Sequence, residues 1–458
     1  MNRTKRSCNK TYQAILSLLS LFSLVSLCTP NIVSAQNSLS LTLQDAWNIA
    51  LENNLSLKQI EQTLLQAEEE VKIQKTNYLP TLSASGSYYF FGGLEVPLDL
   101  NKLGVSANSN MAGGPEDIQI ALFNVGLSQP IFTGFRTRNL VRAARANSDA
   151  SAASNEIEKN QILLQVGQLY YQIQSSILQQ RVIERSIARA DNQLVTVRNL
   201  FQTYQAIAFD TLEIANRKLQ LQIEQKNIEN LTRILYSKFS YLLNLDSSYT
   251  LLPESYHDPN IHLQDMSDYL NEALNNRPEL SQLRSLQNGA QYREKALRSA
   301  YYPQVYASLN QYFLRPNGSF FQNEWKDFYL LGVNVKWEFW NWGRDAKKAR
   351  QSRYEYERLE LQYQNILDEI RQQIKEVYLN LENIQEQLVL QRQLVIQEDK
   401  RYRLTEERYK EGFATALDLS DTENRLTEAE LILENYFNEW NRSKLLLDYS
   451  TGNIGKLL

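Results

Sequence analysis

The stretch Phe328–Arg350, FYLLGVNVKWEFWNWGRDAKKAR, decides the fold. Tyr329, Leu331, Val333, Val335, Trp337 and Phe339 alternate with Leu330, Gly332, Asn334, Lys336 and Glu338. Period-two alternation predicts a half-buried strand, here running to about residue 340. At Trp340–Gly343 the pattern stops and a long polar helix begins. An earlier copy, Phe123–Arg136 (FNVGLSQPIFTGFR), makes the same passage. Few soluble folds run an aromatic-rich strand straight into a very long helix; a barrel whose wall continues as helices does so.

The rest of the chain repeats in the same sense. Residues 45–54 (DAWNIALENN) resemble 268–276 (DYLNEALNN), and Tyr78-Leu79-Pro80 resembles Tyr301-Tyr302-Pro303, both at an offset of 223. Further on, Val125 pairs with Val333, Arg136 with Arg344 and Tyr170 with Tyr378 at 208, and Tyr204 with Tyr409 at 205. The first drop in offset puts a longer loop in the first copy, at the Gly/Asn-rich stretch 92–115. The expected domains are a first repeat over 36–252, a linker over 253–262, a second repeat over 263–450 and a short tail over 451–458.

Each repeat reads helix, strand, loop, strand, long helix, turn, helix. The first helix starts behind Thr42 and runs to about Asn77, before Pro80. Strands are expected at about 81–92 and 118–132, and at about 303–314 and 328–340, with a bulge where the alternation changes phase near Leu122-Phe123. The helices over 134–245 and 343–448 carry apolar steps of three and four. Examples are Leu163, Val166, Tyr170, Ile173, Ile177 and Leu426, Ala429, Leu433, Tyr436, Trp440. These are coiled-coil seams.

Residues 1–35 read as a secretory signal: Arg3, Lys5, Arg6 and Lys10, then the apolar run Ile15–Leu27, then Val33-Ser34-Ala35. Leu27 before Cys28 is too large for a lipoprotein cleavage site. Removing the signal takes away both cysteines, Cys8 and Cys28, and moves the formal net charge from −4 to −8. The mature chain then has no disulfide and no thiol chemistry. It holds no apolar run of transmembrane length, so a membrane crossing requires strands. An acidic balance without basic patches argues against nucleic acid.

Two aromatic clusters separate a membrane barrel from a β-sandwich. Tyr88, Tyr89, Phe90, Trp325 and Phe328 sit at the loop ends; Phe132, Trp337, Trp340 and Trp342 sit at the helix ends. They match the girdles of an outer-membrane barrel rather than a sandwich edge. Four strands leave open edges, so the barrel is shared between chains, and three protomers give twelve strands. Enzyme chemistry finds no purchase. His257 and His262 read as solvated linker residues rather than metal ligands, and no nucleophile elbow, HExxH or phosphate-binding loop is present, so no cofactor is expected. The last coiled coil is interrupted at residues 409–421. There Gly412 allows a reversal, Thr415 can cap the next helix, and Asp418 and Asp421 share one face. Plain capping is one reading; acidic rings at a constriction of a symmetric trimer are the other.

Taken together, LTLQDAWNIALENN, TNYLPTLSASGSYY, SAYYPQVYASLNQY, VGLSQPIFTGFR and RYKEGFATALDLSDTENRL resemble the outer-membrane efflux proteins of the TolC type over nearly all of residues 39–450. The resemblance implies a mainly α protein: a homotrimer whose four strands per protomer close a 12-stranded β-barrel, continued by an α-helical barrel. It implies a Gram-negative outer membrane with a long periplasmic portion, and docking through a periplasmic adaptor protein onto an inner-membrane transporter. It puts Asp418 and Asp421 on the aspartates ringing the periplasmic entrance and Tyr409 on a gate-restraining tyrosine. A restraining arginine of the family type falls at Ala414. The adaptor would meet the tip turns, Tyr204–Asp210 and Tyr409–Asp421. In the first tip Ile207 is aligned with Gly412, and Glu213 and Asn216 lie near the acidic positions. The function implied is a gated passive conduit of an efflux or type I secretion system, with drug, metal and protein cargo all left open. A periplasmic coiled-coil scaffold without a pore is the alternative.

Overall fold

The computed structural model describes residues 39–94, 116–245, 249–251, 263–317 and 323–458. The expected signal, Cys28, both histidines and most of the 92–115 loop lie outside them. Leu39–Leu41 (β1) and Tyr249–Leu251 (β4) form a two-stranded parallel sheet by themselves.

The remaining unit carries helices α1 (Leu43–Asn53) and α2 (Leu55–Thr76), strands β2 (Thr81–Leu94) and β3 (Glu116–Phe132), and helices α3 (Arg136–Gln202) and α4 (Ala208–Leu243). The series recurs as α5 (Met266–Asn276), α6 (Pro278–Arg298), β5 (Gln304–Asn317), β6 (Lys326–Lys336), α7 (Arg344–Lys410) and α8 (Ala416–Ser450). The expected single helix up to Asn77 is thus two. Asn54 breaks it: its side chain accepts from the backbone N–H groups of Ser56 and Leu57 at 2.9 and 3.2 Å, capping α2. In the second copy the break falls at Pro278, which has no N–H to continue the ladder.

The four long strands form one antiparallel sheet in the order β2-β3-β5-β6. Its register sorts chemistry by face. Leu82, Leu127, Leu309 and Leu331 stand in one row, and Ala84, Val125, Gln311 and Tyr329 in the next row but one. The rows between hold Ser83, Gly126, Asn310 and Leu330, and Ser85, Asn124, Tyr312 and Phe328. One face is therefore apolar toward the helices and takes up Gln311, Asp327 and Arg315 toward the loops. The other is polar toward the helices and becomes aromatic toward the loops. That change explains the phase shift at Leu122-Phe123, where no bulge exists: Ser87 pairs with Leu122 and Gly86 with Phe123 without a break. The bulges fall between Pro130 and Phe132, and between Phe91 and Leu94. Pro130 cannot donate to the ladder, which is where a bulge is tolerated. Strand β6 ends at Lys336 rather than residue 340, because its partner begins at Gln304, directly after Pro303, and nothing remains to pair with Trp337.

Two left-handed residues turn each strand pair into its long helix: Gly134 and Phe135 (φ 62° and 66°), and Trp342 and Gly343 (φ 55° and 74°). At Gly134 a β-carbon would stand 2.7 Å from the Ser299 carbonyl oxygen, so glycine is required there. Helices α3 and α7 each have 67 residues, about 100 Å at 1.5 Å per residue. Their seams bury Leu163, Val166, Tyr170 and Ile173 on α3, and Ile374, Val377, Leu381, Ile384 and Leu388 on α7. The expected C-terminal tail is packed, with Thr451 and Ile454 buried and Asn453 donating to Glu272 at 2.7 Å.

Candidate gate at the helical tips

Helices α3–α4 and α7–α8 are joined by turns of one design. In the second, Phe413 N–H donates to the Arg408 carbonyl at 2.8 Å and Gly412 takes φ 79°. In the first, Gln205 N–H donates to the Leu200 carbonyl at 2.8 Å and Tyr204 takes φ 61°. Each is a C-terminal turn closed by a bond across five residues through one left-handed residue. The two tips therefore keep the offset of 208: Tyr204 stands where Gly412 stands, Ile207 where Thr415, Asp210 where Asp418 and Glu213 where Asp421. Aligning Tyr204 with Tyr409, and Ile207 with Gly412, is wrong by three residues. The residue at the position of Tyr409 is Phe201.

Thr415 caps α8. Its hydroxyl oxygen accepts from Asp418 N–H at 3.1 Å, and the Asp418 carboxylate accepts from Thr415 N–H at 2.9 Å and from its hydroxyl at 2.7 Å. Those donors, the backbone one first, hold the Asp418 carboxyl below its usual range. In the first tip Asp210 likewise accepts from Ile207 N–H at 3.1 Å, but the Ile207 side chain has no acceptor, so only half of the box exists. Asp421 is exposed and accepts from Arg425 at 2.9 Å. Both aspartates open onto a groove between α7 and α8 that also holds Lys400, Arg401 and Arg408. The acidic pair thus shares its groove with these three bases and with Glu407 and Glu411.

Tyr409 is buried with Leu194, Val197, Ile214, Tyr402 and Leu419, which come from all four long helices. Its hydroxyl has no hydrogen-bond partner among the described residues. Burial, and then the charge of Asp210, push its pKa up to about 12. Ala414 is half-buried against this cluster. Tyr204 is fully solvated at 96% exposure.

The sequence reading missed the strongest polar feature of this end, which lies five residues beyond Asp418. Glu423 on α8 is fully buried. It accepts from Arg189 of α3 at 3.2 Å, from Arg217 of α4 at 2.9 Å, from Thr427 at 2.7 Å and from the Ser186 hydroxyl. Arg189 also reaches Glu430 at 3.1 Å. The signal was available: one step of three before Leu426, the α8 seam puts a glutamate where an apolar residue belongs.

The expected aromatic belts divide by face. Tyr88 and Phe90 lie on the apolar face, with the Tyr88 hydroxyl donating to Gln119 at 2.8 Å. Tyr89 lies on the opposite face, stacked on Phe91 at 6.3 Å. Trp325 is exposed at the loop end of β6. At the helix end Phe132 meets Phe135 at 5.4 Å, Trp337 meets Phe339 at 6.0 Å and Trp340 meets Trp342 at 5.6 Å. Among the described residues no helix is long and apolar enough to cross a membrane.

A duplicated helix–hairpin–helix chain carrying a two-faced sheet defines a class of protein that known chains share. The Campylobacter jejuni CmeC outer membrane channel has this fold, with a TM-score of 0.71, 17% identity, and coverage of 90% of this chain and 85% of that one. The outer membrane efflux protein BepC of Brucella suis is 21% identical over 408 residues, spanning 89% of this chain and 84% of BepC. The probable efflux pump outer membrane protein TtgC of Pseudomonas putida is 20% identical over 395 residues, spanning 85% and 78%. The model of the family described as "Outer membrane efflux protein" matches residues 46–230 and again 269–453. The chain belongs to that family. It is a channel component for efflux at the outer membrane, of a transport family rather than an enzyme family.

Proposed function

We propose that three copies close a 12-stranded barrel in the outer membrane and that their long helices continue it as a tunnel through the periplasm. The sheet carries this reading. Its apolar rows cross all four strands, from Leu82 through Leu127 and Leu309 to Leu331, and both edge strands, β2 and β6, have a side with no partner among the described residues. Unpaired edges are not tolerated in lipid, so each edge pairs with a neighbouring copy, and the polar face lines an aqueous lumen. Transport is passive, driven by an inner-membrane transporter that an adaptor protein links to the tip turns at Tyr204–Asp210 and Tyr409–Asp421. The tips are the gate. Tyr409 and its apolar cluster hold the four helices together, and adaptor contacts made only in the open state shift the balance. Asp418 and Asp421, repeated threefold, line the entrance. The aromatic residues at the two strand ends, Tyr88, Phe90 and Trp325 against Phe132, Trp337, Trp340 and Trp342, sit at the two interfaces.

The test is the oligomeric mass of the mature protein in detergent together with single-channel conductance in planar bilayers. A trimer with discrete cation-selective openings is expected. A monomer without conductance would leave the coiled-coil scaffold as the reading.

A further inference from the structure

At the foot of β3 the bulge at Pro130–Phe132 and the left-handed pair Gly134-Phe135 open a groove of about 270 Å³. Ile131 (63% exposed), Phe132, Phe135 and the ring of Tyr78 give it an apolar side, and Asn77, Thr133 and Thr137 a polar one. Arg138, in the first turn of α3, also lines it. Arg138 is exposed and has no acidic partner among the described residues. We infer that this groove binds one anionic phospholipid of the inner leaflet, with an acyl chain against Ile131, Phe132 and Phe135 and the phosphate on Arg138. The inference rests on the membrane barrel proposed above.

Three observations select this occupant. First, the groove continues the lipid face of the sheet: Phe132 pairs with Val305, which lies in the apolar rows with Val335. Second, the depth fits. A 14-residue strand such as β5 is about 46 Å long and rises about 33 Å at a 45° tilt, close to the hydrocarbon thickness, so its foot lies at the headgroups. Third, the charge is local. In a chain of net charge −4, Arg136, Arg138, Arg142, Lys347, Lys348 and Arg350 crowd the first two turns of α3 and α7, all exposed and without acidic partners among the described residues. Bases there oppose the helix dipole, and apart from Arg142, which lies 5.6 Å over the Tyr292 ring, no contact among the described residues offsets that. Anionic lipid facing juxtamembrane bases does.

The experiment is native mass spectrometry of the detergent-solubilised trimer titrated with phosphatidylglycerol and, separately, with phosphatidylcholine. Wild type is expected to retain up to three phosphatidylglycerols and to prefer them over phosphatidylcholine. Arg138→Gln should cut that preference about fivefold, the effect of one basic contact. Ile131→Trp, which fills the groove, should reduce retention of both lipids. Arg353→Gln, farther down α7, serves as the control and should change nothing. If both Arg138→Gln and Ile131→Trp retain lipid like wild type, or if inorganic phosphate displaces all the lipid, the site is not a lipid site. Retention by monomers but not trimers would mean a second copy covers the groove, which also overturns the inference. Failure to form trimers at all would count against the barrel and not against the groove.

Discussion

One oxygen of the Glu423 carboxylate on α8, Oε2, accepts from both Nε and Nη2 of Arg217 on α4 at 3.0 and 2.9 Å, and the carboxylate has no solvent exposure. Arg189 of α3 holds the other oxygen at 3.2 Å. Three of the four helices at the tip are therefore tied at one buried point, and α7 is not. Removing one partner of a buried pair leaves uncompensated charge, which costs about 3–5 kcal/mol. Glu423→Ala should therefore speed amide exchange in residues 183–197 and 214–228 by about a hundredfold or more, since each factor of ten is about 1.4 kcal/mol. Exchange within threefold of wild type would show that the knot does not hold these helices.

Tyr409 bears on how the tip stays shut. Its hydroxyl has no partner among the described residues, so its ring, not its oxygen, does the holding. Tyr409→Phe should leave closed-state leak and stability unchanged or slightly improved, because a buried unsatisfied polar atom is removed. Tyr409→Ala should cost about 3–5 kcal/mol as a large-to-small core change and raise leak conductance. Because burial raises the phenol pKa to about 12, the unfolded chain ionises first. The contribution of Tyr409 is present below pH ~10 and lost as pH rises through the folded pKa. If Tyr409→Phe opens the channel, the hydroxyl is a restraint after all.

The fold was legible wherever one residue's neighbours decide its chemistry. The alternation from Tyr329 to Val335 announced β6, and steps of three and four announced α3 and α7. What escaped depends on partners far away. Strand β6 stops at Lys336 because of Pro303, more than thirty residues earlier and just before the start of its partner strand. The tip alignment failed because it matched two tyrosine side chains, whereas the turn is set by backbone handedness. A glycine announces that handedness at Gly412, and nothing announces it at Tyr204. The tip aspartates were legible as a cap. Glu423 was legible only as a gap in a seam, because its two arginines come from other helices.

Tyr204 pays for its position. A tyrosine at φ 61° carries about 1 kcal/mol of strain that glycine would not. With 96% exposure, the ring packs against nothing among the described residues. Tyr204→Gly should leave thermal stability unchanged or raise it by one or two degrees, while weakening binding of the isolated adaptor at least tenfold by surface plasmon resonance. Unchanged adaptor affinity would remove Tyr204 from the docking surface.

Asp418 and Asp421 invite a separation of capping from charge. Asp418 serves both Thr415 groups, whereas among the described residues Asp421 pairs with Arg425 alone. Because its donors depress the Asp418 pKa, the cap is intact above the ordinary carboxylate range and is lost only as pH falls through the lowered folded value. Exchange of the first-turn amides of α8 should therefore be insensitive to pH between 7 and 5 once corrected for intrinsic rates, and should quicken below about 4. Asp421→Asn should reduce cation selectivity and divalent-cation block without changing that exchange. Asp418→Asn should change both, since it weakens the acceptor that ties Thr415. Single-channel reversal potentials in a potassium chloride gradient separate the two variants. If neither variant moves the reversal potential, the aspartates are caps alone and the acidic ring is not what selects cations.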